Sequence, residues 1–411
     1  MKSEYRQRVC LAVTAWGLAQ AGSAFAQANP YYVGVGLSHT QERNVFKVAE
    51  GSPETDDDYT TATLQAGIDQ PIGRQRIFLD ATARINKYRD LTELDHTGYG
   101  LDMGWDWETI ESLSGRIGYT GKQTLARFGA DLGPALSTKN LERLQEFVAR
   151  GQYGGASLLA LEGSFVHRQL DYSAFQYDFL EFKQDAVRLG LLYKPSAALT
   201  LGIAGRHTKG EYPFALQTAP GLFQADNYTR NDVDLTATWL PTGQSTVRAR
   251  VSYTKEEHET VVTRDVSQTT GALAWDFKPT AKLALTAELI RDTGAETAFA
   301  GLAGAGAAAV GNNSQLSNSA LLRIGYEVTA KIQLELSARH VERDLINTQG
   351  GALPANGSDR YTESKIGLTW APARSLLFGC SIGQEQRKSD SALSYSYSSS
   401  VASCLGQFKL Q

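Results

Sequence analysis

The chain is poor in cysteine, with three in 411 residues, and its six histidines never fall at i, i+4 or any other ligand spacing. A zinc centre built from paired Cys and His is therefore not expected, nor is any other metal or cofactor. Long hydrophobic runs are missing too: beyond the first segment, nothing approaches the roughly 18 apolar residues of a membrane helix. No sign of charge dominates. The formal net charge of −4 is too mild to argue for nucleic acid or for an acidic partner. A mean hydropathy of −0.29 would by itself suggest a soluble protein. Outer-membrane barrels share that average, because half of each strand faces a polar interior.

Residues 1–26 read as a secretory signal peptide. Lys2, Arg6 and Arg8 make a basic start, Val9 to Ala19 is a short apolar run, and Ala24-Phe25-Ala26 supplies a small-x-small cleavage site. The mature chain, residues 27–411, is then organised around one recurring unit. In Trp275-Asp-Phe-Lys-Pro-Thr-Ala-Lys-Leu-Ala-Leu-Thr-Ala-Glu-Leu289, an aromatic strand end is followed by a tight turn and an alternating strand. Leu283, Leu285, Ala287 and Leu289 share one face, and Ala284, Thr286 and Glu288 the other. Strand side chains alternate sides, so this is a hairpin with one greasy and one wet surface. Related hairpins begin at Tyr193, Trp239, Tyr326 and Trp370. The alternation is cleanest where Tyr99, Leu101, Met103, Trp105 and Trp107 separate from Gly100, Asp102, Gly104 and Asp106.

The pattern predicts an all-β, transmembrane, antiparallel up-and-down barrel of about 18 strands, even in number so that both ends lie on one side. The weakest of the strand assignments is Leu141–Ala149, whose composition also suits a helix. The first strand is expected over Tyr31 to Phe46. Short turns would face the periplasm. The longer connections Ala126–Asn140, Pro213–Ala225, Thr293–Gln315 and Asp344–Ser358 would face outward, and Ala126–Asn140 or Thr293–Gln315 could fold into the pore. Trp105, Trp107, Tyr193, Trp239, Trp275, Tyr326 and Trp370 all fall at the inner ends of descending strands. They read as one interfacial aromatic girdle.

Charges cannot face lipid at mid-membrane without a cost of about 2–4 kcal/mol for Arg or Lys. Arg84, Asp102, Asp106, Arg116, Glu162, Arg188, Arg206, Arg248, Arg250, Glu288, Arg323, Glu335 and Arg339 oppose the apolar stripes. They are expected to line the lumen, either neutralising one another or offering a hydrated path for a polar polymer. The histidines (His39, His96, His167, His207, His258 and His340) read as solvated residues at outer strand ends or loops. The acidic run Glu50–Asp58 reads as a solvated loop, and Ser391–Ser400 as a strand of small side chains. No serine, histidine and acid are paired by spacing, so no enzyme is expected. Cys380 and Cys404 sit at mirrored distances from a turn on the last hairpin. In an exported protein they are expected to form a disulfide across neighbouring strands, the alternative being two buried thiols.

The chain resembles the EpsL-like β-barrel porins, outer-membrane proteins encoded with exopolysaccharide operons. The likeness rests on Tyr32-Val-Gly-Val-Gly, on Ala83-Arg-Ile-Asn-Lys-Tyr88 after a Pro-Ile-Gly-Arg-Gln turn, and on Lys139-Asn140 before a strand. The Tyr-Lys-Pro-Ser and Trp-Ala-Pro hairpins and the late cysteine pair add to it. It departs at the end of the chain, where Phe408 is followed by Lys-Leu-Gln. The resemblance implies a Gram-negative outer membrane, with lipid and lipopolysaccharide as surroundings. It also implies export of an exopolysaccharide with periplasmic polysaccharide-export partners. A non-conducting structural or adhesive barrel is the alternative expectation, with a barrel hydrolase trimming lipid or polymer as the third.

Overall fold

The computed structural model describes residues 30–110, 112–129, 137–219, 221–293, 314–346 and 356–411. The leader therefore lies outside the described residues, as does most of the expected connection Thr293–Gln315. Eighteen antiparallel strands form one closed wall. The first six are β1 (Tyr31–Arg43), β2 (Asp57–Ile72), β3 (Gln75–Tyr88), β4 (His96–Glu108), β5 (Leu113–Leu125) and β6 (Leu141–Tyr153). Next come β7 (Leu159–Tyr172), β8 (Phe182–Ser196), β9 (Leu199–Ala219), β10 (Leu222–Thr242), β11 (Ser245–His258) and β12 (Val266–Phe277). The last are β13 (Leu283–Asp292), β14 (Ser314–Thr329), β15 (Ile332–Ile346), β16 (Asn356–Ala373), β17 (Leu376–Ser389) and β18 (Tyr397–Leu410). Each strand pairs with its sequence neighbours, and β1 pairs with β18 from Val33 opposite Leu410 to Arg43 opposite Ser400. The ring of pairings closes on itself, so the wall's backbone groups are met within the sheet over most of its height.

Periodicity decides the two faces. On β1, Tyr31, Val33, Val35 and Leu37 are exposed, while Gly34, Ser38 and Thr40 are partly or fully buried. Carrying this parity through the registers places every exposed apolar residue of the wall on its outside. The outward belt ends at one level. His39, His167, His207 and His340 each take the fifth outward position of an ascending strand, and beyond them the outward face becomes polar, as in the Lys183–Glu211 pair at 2.8 Å. At the other end Trp105, Trp107, Tyr193, Trp239, Trp275, Tyr326 and Trp370 point outward beside the short turns. This wall, with apolar outside, aromatic lower edge and polar inside, is that of a Gram-negative outer-membrane barrel.

The disulfide joins Cys380 and Cys404, which oppose each other directly in the β17–β18 register. Both are on the outward face and exposed. Glycines repeatedly make room for an aromatic ring on the opposite strand. Tyr32 lies over Gly67, Phe78 over Gly104, Tyr228 over Gly210 and Trp107 over Gly115, each pair in direct register. The ring covers backbone that a glycine leaves bare.

Several expectations are corrected at the outer end. The first strand stops at Arg43, because Asn44 and Lys47 take left-handed backbone (φ 51° and 53°) and turn the chain into the lumen. Asn44 suits that conformation; its side chain accepts from Val48 N at 2.9 Å and donates to Ser398 O at 2.9 Å. The expected loop Pro213–Ala225 is mostly strand: β9 and β10 are both 21 residues long and carry the hairpin to Ala219–Leu222, with Phe214 packed edge-on to Phe223 at 5.5 Å. Asp344–Ser358 is likewise shortened, since β15 reaches Ile346 and β16 starts at Asn356. Ser391–Ser396 is a turn rather than strand, its hydroxyls satisfying backbone N–H groups locally, as Ser396 does for Ser389 at 3.0 Å. Leu141–Tyr153 is a strand, its helical composition overridden by pairing on both sides.

Candidate transport lumen

Inside the wall, charge is arranged in three tiers. Nearest the short turns, Arg76 holds Asp69 at 2.6 Å and Asp106 at 3.2 Å, and Arg116 reaches Asp106 at 3.7 Å. Both guanidinium groups stack on Phe78, 5.1 and 4.6 Å from its centroid. The ring thus lies flat on Gly104 on one side and is capped by cations, an arrangement attractive through the ring quadrupole.

Across β7 to β13, ion pairs continue as a network. Arg188 joins Glu162 and Asp234, the latter at 3.0 Å, and Asp234 also accepts from Ser252 at 2.6 Å. Arg206 meets Asp232 at 3.0 Å, and Arg230, only 1% exposed, meets Asp232 at 2.9 Å and Asp292 at 2.8 Å. Arg250 closes on Asp292 at 2.7 Å, and Arg248 on Asp276 at 2.6 Å. Such charges are tolerable away from bulk water only because each is paired and hydrogen-bonded. Arg84 and Asp102 face inward on β3 and β4, Asp102 accepting from Thr120 at 3.1 Å. Glu288, Arg323, Glu335 and Arg339 face inward on β13, β14 and β15. The structure thus gathers Glu162, Arg188, Arg206 and Arg250 into one network, pairs Arg248 with Asp276 beside it, and sets Glu288, Arg323, Glu335 and Arg339 on the adjoining wall of β13 to β15.

At the outer end, loops fold inward and lash to the wall. The segment after β5 carries Arg127 across to β16 and β17, where it bonds Glu385 at 2.6 Å and lies 4.1 Å over the Tyr361 ring. Arg387 donates to Gly129 O. Lys47, brought inward by the turn after β1, reaches Glu42 at 2.5 Å and Glu385 at 3.4 Å. Burial alone would lower the Lys47 ammonium, but Glu42 and Glu385 hold it above its ordinary value. Val45, Phe46, Tyr88, Leu94 and Phe128 form an apolar cluster beside this latch. A second cluster, of Leu144, Leu170, Phe182, Tyr212, Tyr228 and Val261, lies on the opposite side of the mouth.

Three outer loops share one construction. After β3, Asp57 accepts from Asp90 N and Leu91 N, and Asp95 accepts from Tyr88 N at 2.8 Å. After β7, Asn140 accepts from Ser173 N and Ala174 N at 3.1 Å, and Glu181 from Tyr172 N at 2.7 Å. After β11, Asp226 accepts from Thr260 N and Val261 N, and Asp265 from His258 N at 2.8 Å. A 3-10 turn fills each loop, at Thr92–Leu94, Phe175–Leu180 and Val262–Arg264.

Two expectations change here. Glu50–Asp58 is not simply a solvated loop, since Asp57 is buried and serves as a lash. His258 is not solvated either: it is buried between Asp226 at 2.8 Å and Glu256 at 3.2 Å and stacks on Tyr228. Phe78, Lys47, Arg127 and Glu385 escape sequence reasoning because their partners are far apart in the chain. The repeated loop leaves a faint signal, the shared spacing of Tyr88 to Asp95 and His258 to Asp265.

Several solved structures are similar to this chain. The outer membrane protein opdK from Pseudomonas aeruginosa matches over 92% of this chain and 98% of its own, with 12% identity and a TM-score of 0.45. OccK2 (OpdF) from the same organism, in complex with glucuronate, matches over 92% and 98%, with 11% identity and a TM-score of 0.48. A BenF-like porin from Pseudomonas fluorescens Pf-5 matches over 92% and 99%, with 12% identity and a TM-score of 0.46. The likeness concerns the fold alone. No family model and no curated relative matches the sequence. By the sidedness of its own wall the chain is an eighteen-stranded outer-membrane β-barrel.

Proposed function

We propose that this barrel is an outer-membrane conduit for an exopolysaccharide, working with periplasmic polysaccharide-export proteins. The observation that carries the reading is the inner wall itself. It alternates paired Arg and Asp or Glu with glycine, serine and threonine, and so offers a flexible polar polymer many weak contacts. Weak contacts permit passage where a tight one would stall it. An eighteen-stranded barrel is wide enough for an aqueous channel unless something fills it. The EpsL-like resemblance points the same way. Deleting the gene while measuring secreted against periplasmic polymer tests it: polymer should accumulate in the periplasm, and unchanged secretion rejects the reading.

One observation favours a second reading, a non-conducting structural or adhesive barrel. The two apolar clusters and the Arg127–Glu385 latch occupy wall at the outer mouth, as a permanent closure would. Single-channel recording in a planar bilayer separates the two. Stable conductance supports the conduit, and silence under all voltages supports the closed barrel.

A further inference from the structure

The β5–β6 register sets Arg116 directly opposite Arg150, and both point into the barrel. Like charges directly opposed across antiparallel strands destabilise the pairing, so the arrangement calls for a compensating anion. The neighbouring carboxylates are already engaged. Asp106 serves Arg76 and Arg116, Glu146 holds Arg168 at 2.6 Å, and Glu162 holds Arg188. Arg150 has no hydrogen bond or ion pair with any described residue. It is exposed although it lies inside the wall, so the lumen is open at this height.

Gly118, the next inward residue of β5, lies against the Arg116 side chain, 3.6 Å from its Nε to a Cβ built there, and adds no bulk of its own beside the pair. Phe78, capped by Arg76 and Arg116, forms the adjoining wall. Arg116 is the fourth residue of β5 and Arg150 the fourth from the end of β6, so the site sits just inside the short-turn mouth, at the height of Trp105. A polymer arriving from the periplasm would meet it first.

Resting on the conduit reading, we infer that Arg116 and Arg150 form an anion-recognition site at the periplasmic entrance, taking the carboxylate of an acidic sugar in the polymer. A guanidinium fork matches a carboxylate in two parallel hydrogen bonds. The exposure of Arg150 leaves the contact open to solvent and so weak enough to release.

The test is equilibrium dialysis of the full-length barrel in detergent micelles against a galacturonic acid tetramer and an uncharged maltotetraose. The wild type should bind the uronide at least tenfold more tightly than the neutral sugar. Arg150→Gln should abolish that preference, and Arg150→Lys should keep only part of it. Arg291→Gln, which removes one positive charge from the outer wall, should leave it intact. Because Arg150→Gln removes a like-charge pair, the variant should fold at least as stably as the wild type. A wild type without preference, an Arg150→Gln variant that retains it, or an Arg291→Gln variant that loses it equally would overturn the site. Conductance is read separately: uronide binding in a barrel that does not conduct keeps the site and sinks the conduit. Conductance without uronide preference does the reverse.

Discussion

Phe78 and Gly104 face each other across β3 and β4, and a Cβ built at Gly104 would lie 2.6 Å from the Phe78 ring. The ring can lie flat only because the opposite residue has no side chain, and that flatness presents its other face to Arg76 and Arg116. Gly104→Ala should therefore lift the ring and cost about 1–3 kcal/mol, as forced overpacking usually does. Gly100→Ala, two inward positions along the same strand and facing open space, should be nearly neutral. Denaturant unfolding of the two variants in the same detergent measures the difference; equal effects would refute the role of the ring.

Asp57, Asn140 and Asp226 each accept two loop N–H groups. Replacing any one by Ala leaves both donors without that acceptor, and the cost should be about 1–3 kcal/mol. The loss should be local. Amide exchange should accelerate at Leu91 in the Asp57 variant, at Ala174 in the Asn140 variant and at Val261 in the Asp226 variant, with the other two loops unchanged.

Sister loops should differ in pH response. Lys87 and the Tyr88 N–H hold Asp95 below its ordinary 3.8. Its contribution is present above that value and lost as pH falls through the depressed one. Burial pushes Glu181 above its ordinary 4.5, against the pull of the Tyr172 N–H. Its contribution is present below 4.5 and lost as pH rises through the raised value. As pH rises from 4.5 through the raised Glu181 value, protection of the Tyr172 amide should fall while that of Tyr88 holds. The reverse order would contradict the assignment.

Arg127 ties an inward loop to Glu385 at 2.6 Å and to Tyr361, and Lys47 shares the same carboxylate. If the barrel conducts, Arg127→Ala should raise single-channel conductance and its noise by freeing the loop. Lys47, raised above its ordinary 10.5, keeps its contribution below that pH and loses it only as pH climbs through the raised value. The wild-type latch should therefore not loosen up to about pH 10.

The disulfide between Cys380 and Cys404 closes a segment of 24 residues on the outward face. Replacing both by serine should lower stability by about 2–4 kcal/mol, the usual range for such a cross-link. Reading the unfolding midpoint with and without reductant checks this; a wild type insensitive to reductant would contradict it.

The wall was readable because period-two alternation is local: Tyr99 to Trp107 sorts itself without reference to any other strand. The girdle was readable for the same reason, since turn length and aromatic position lie within a few residues. The outer mouth was not. Asn44 and Lys47 turn the chain inward through contacts with Ser398 and Glu385, more than three hundred residues away, roughly the far end of a closed barrel. Pro213 to Ala225 carries turn-like composition, yet cross-hairpin pairing of Phe214 and Phe223 keeps it extended. Arg116 and Arg150 were separately legible as inward charges, but only the register shows them opposed.

Everything rests on inward and outward residues of one strand meeting different media. The direct measurement is a spin-label scan from Gly100 to Asp106 on β4, on a chain with Cys380 and Cys404 changed to serine and reconstituted in bilayers. Labels at Leu101, Met103 and Trp105 should collide with oxygen dissolved in lipid, and labels at Gly100, Asp102 and Asp106 with a water-soluble nickel complex. Accessibility that does not alternate with residue number, or a nickel complex excluded from the inward positions, would contradict a closed wall around a wet lumen.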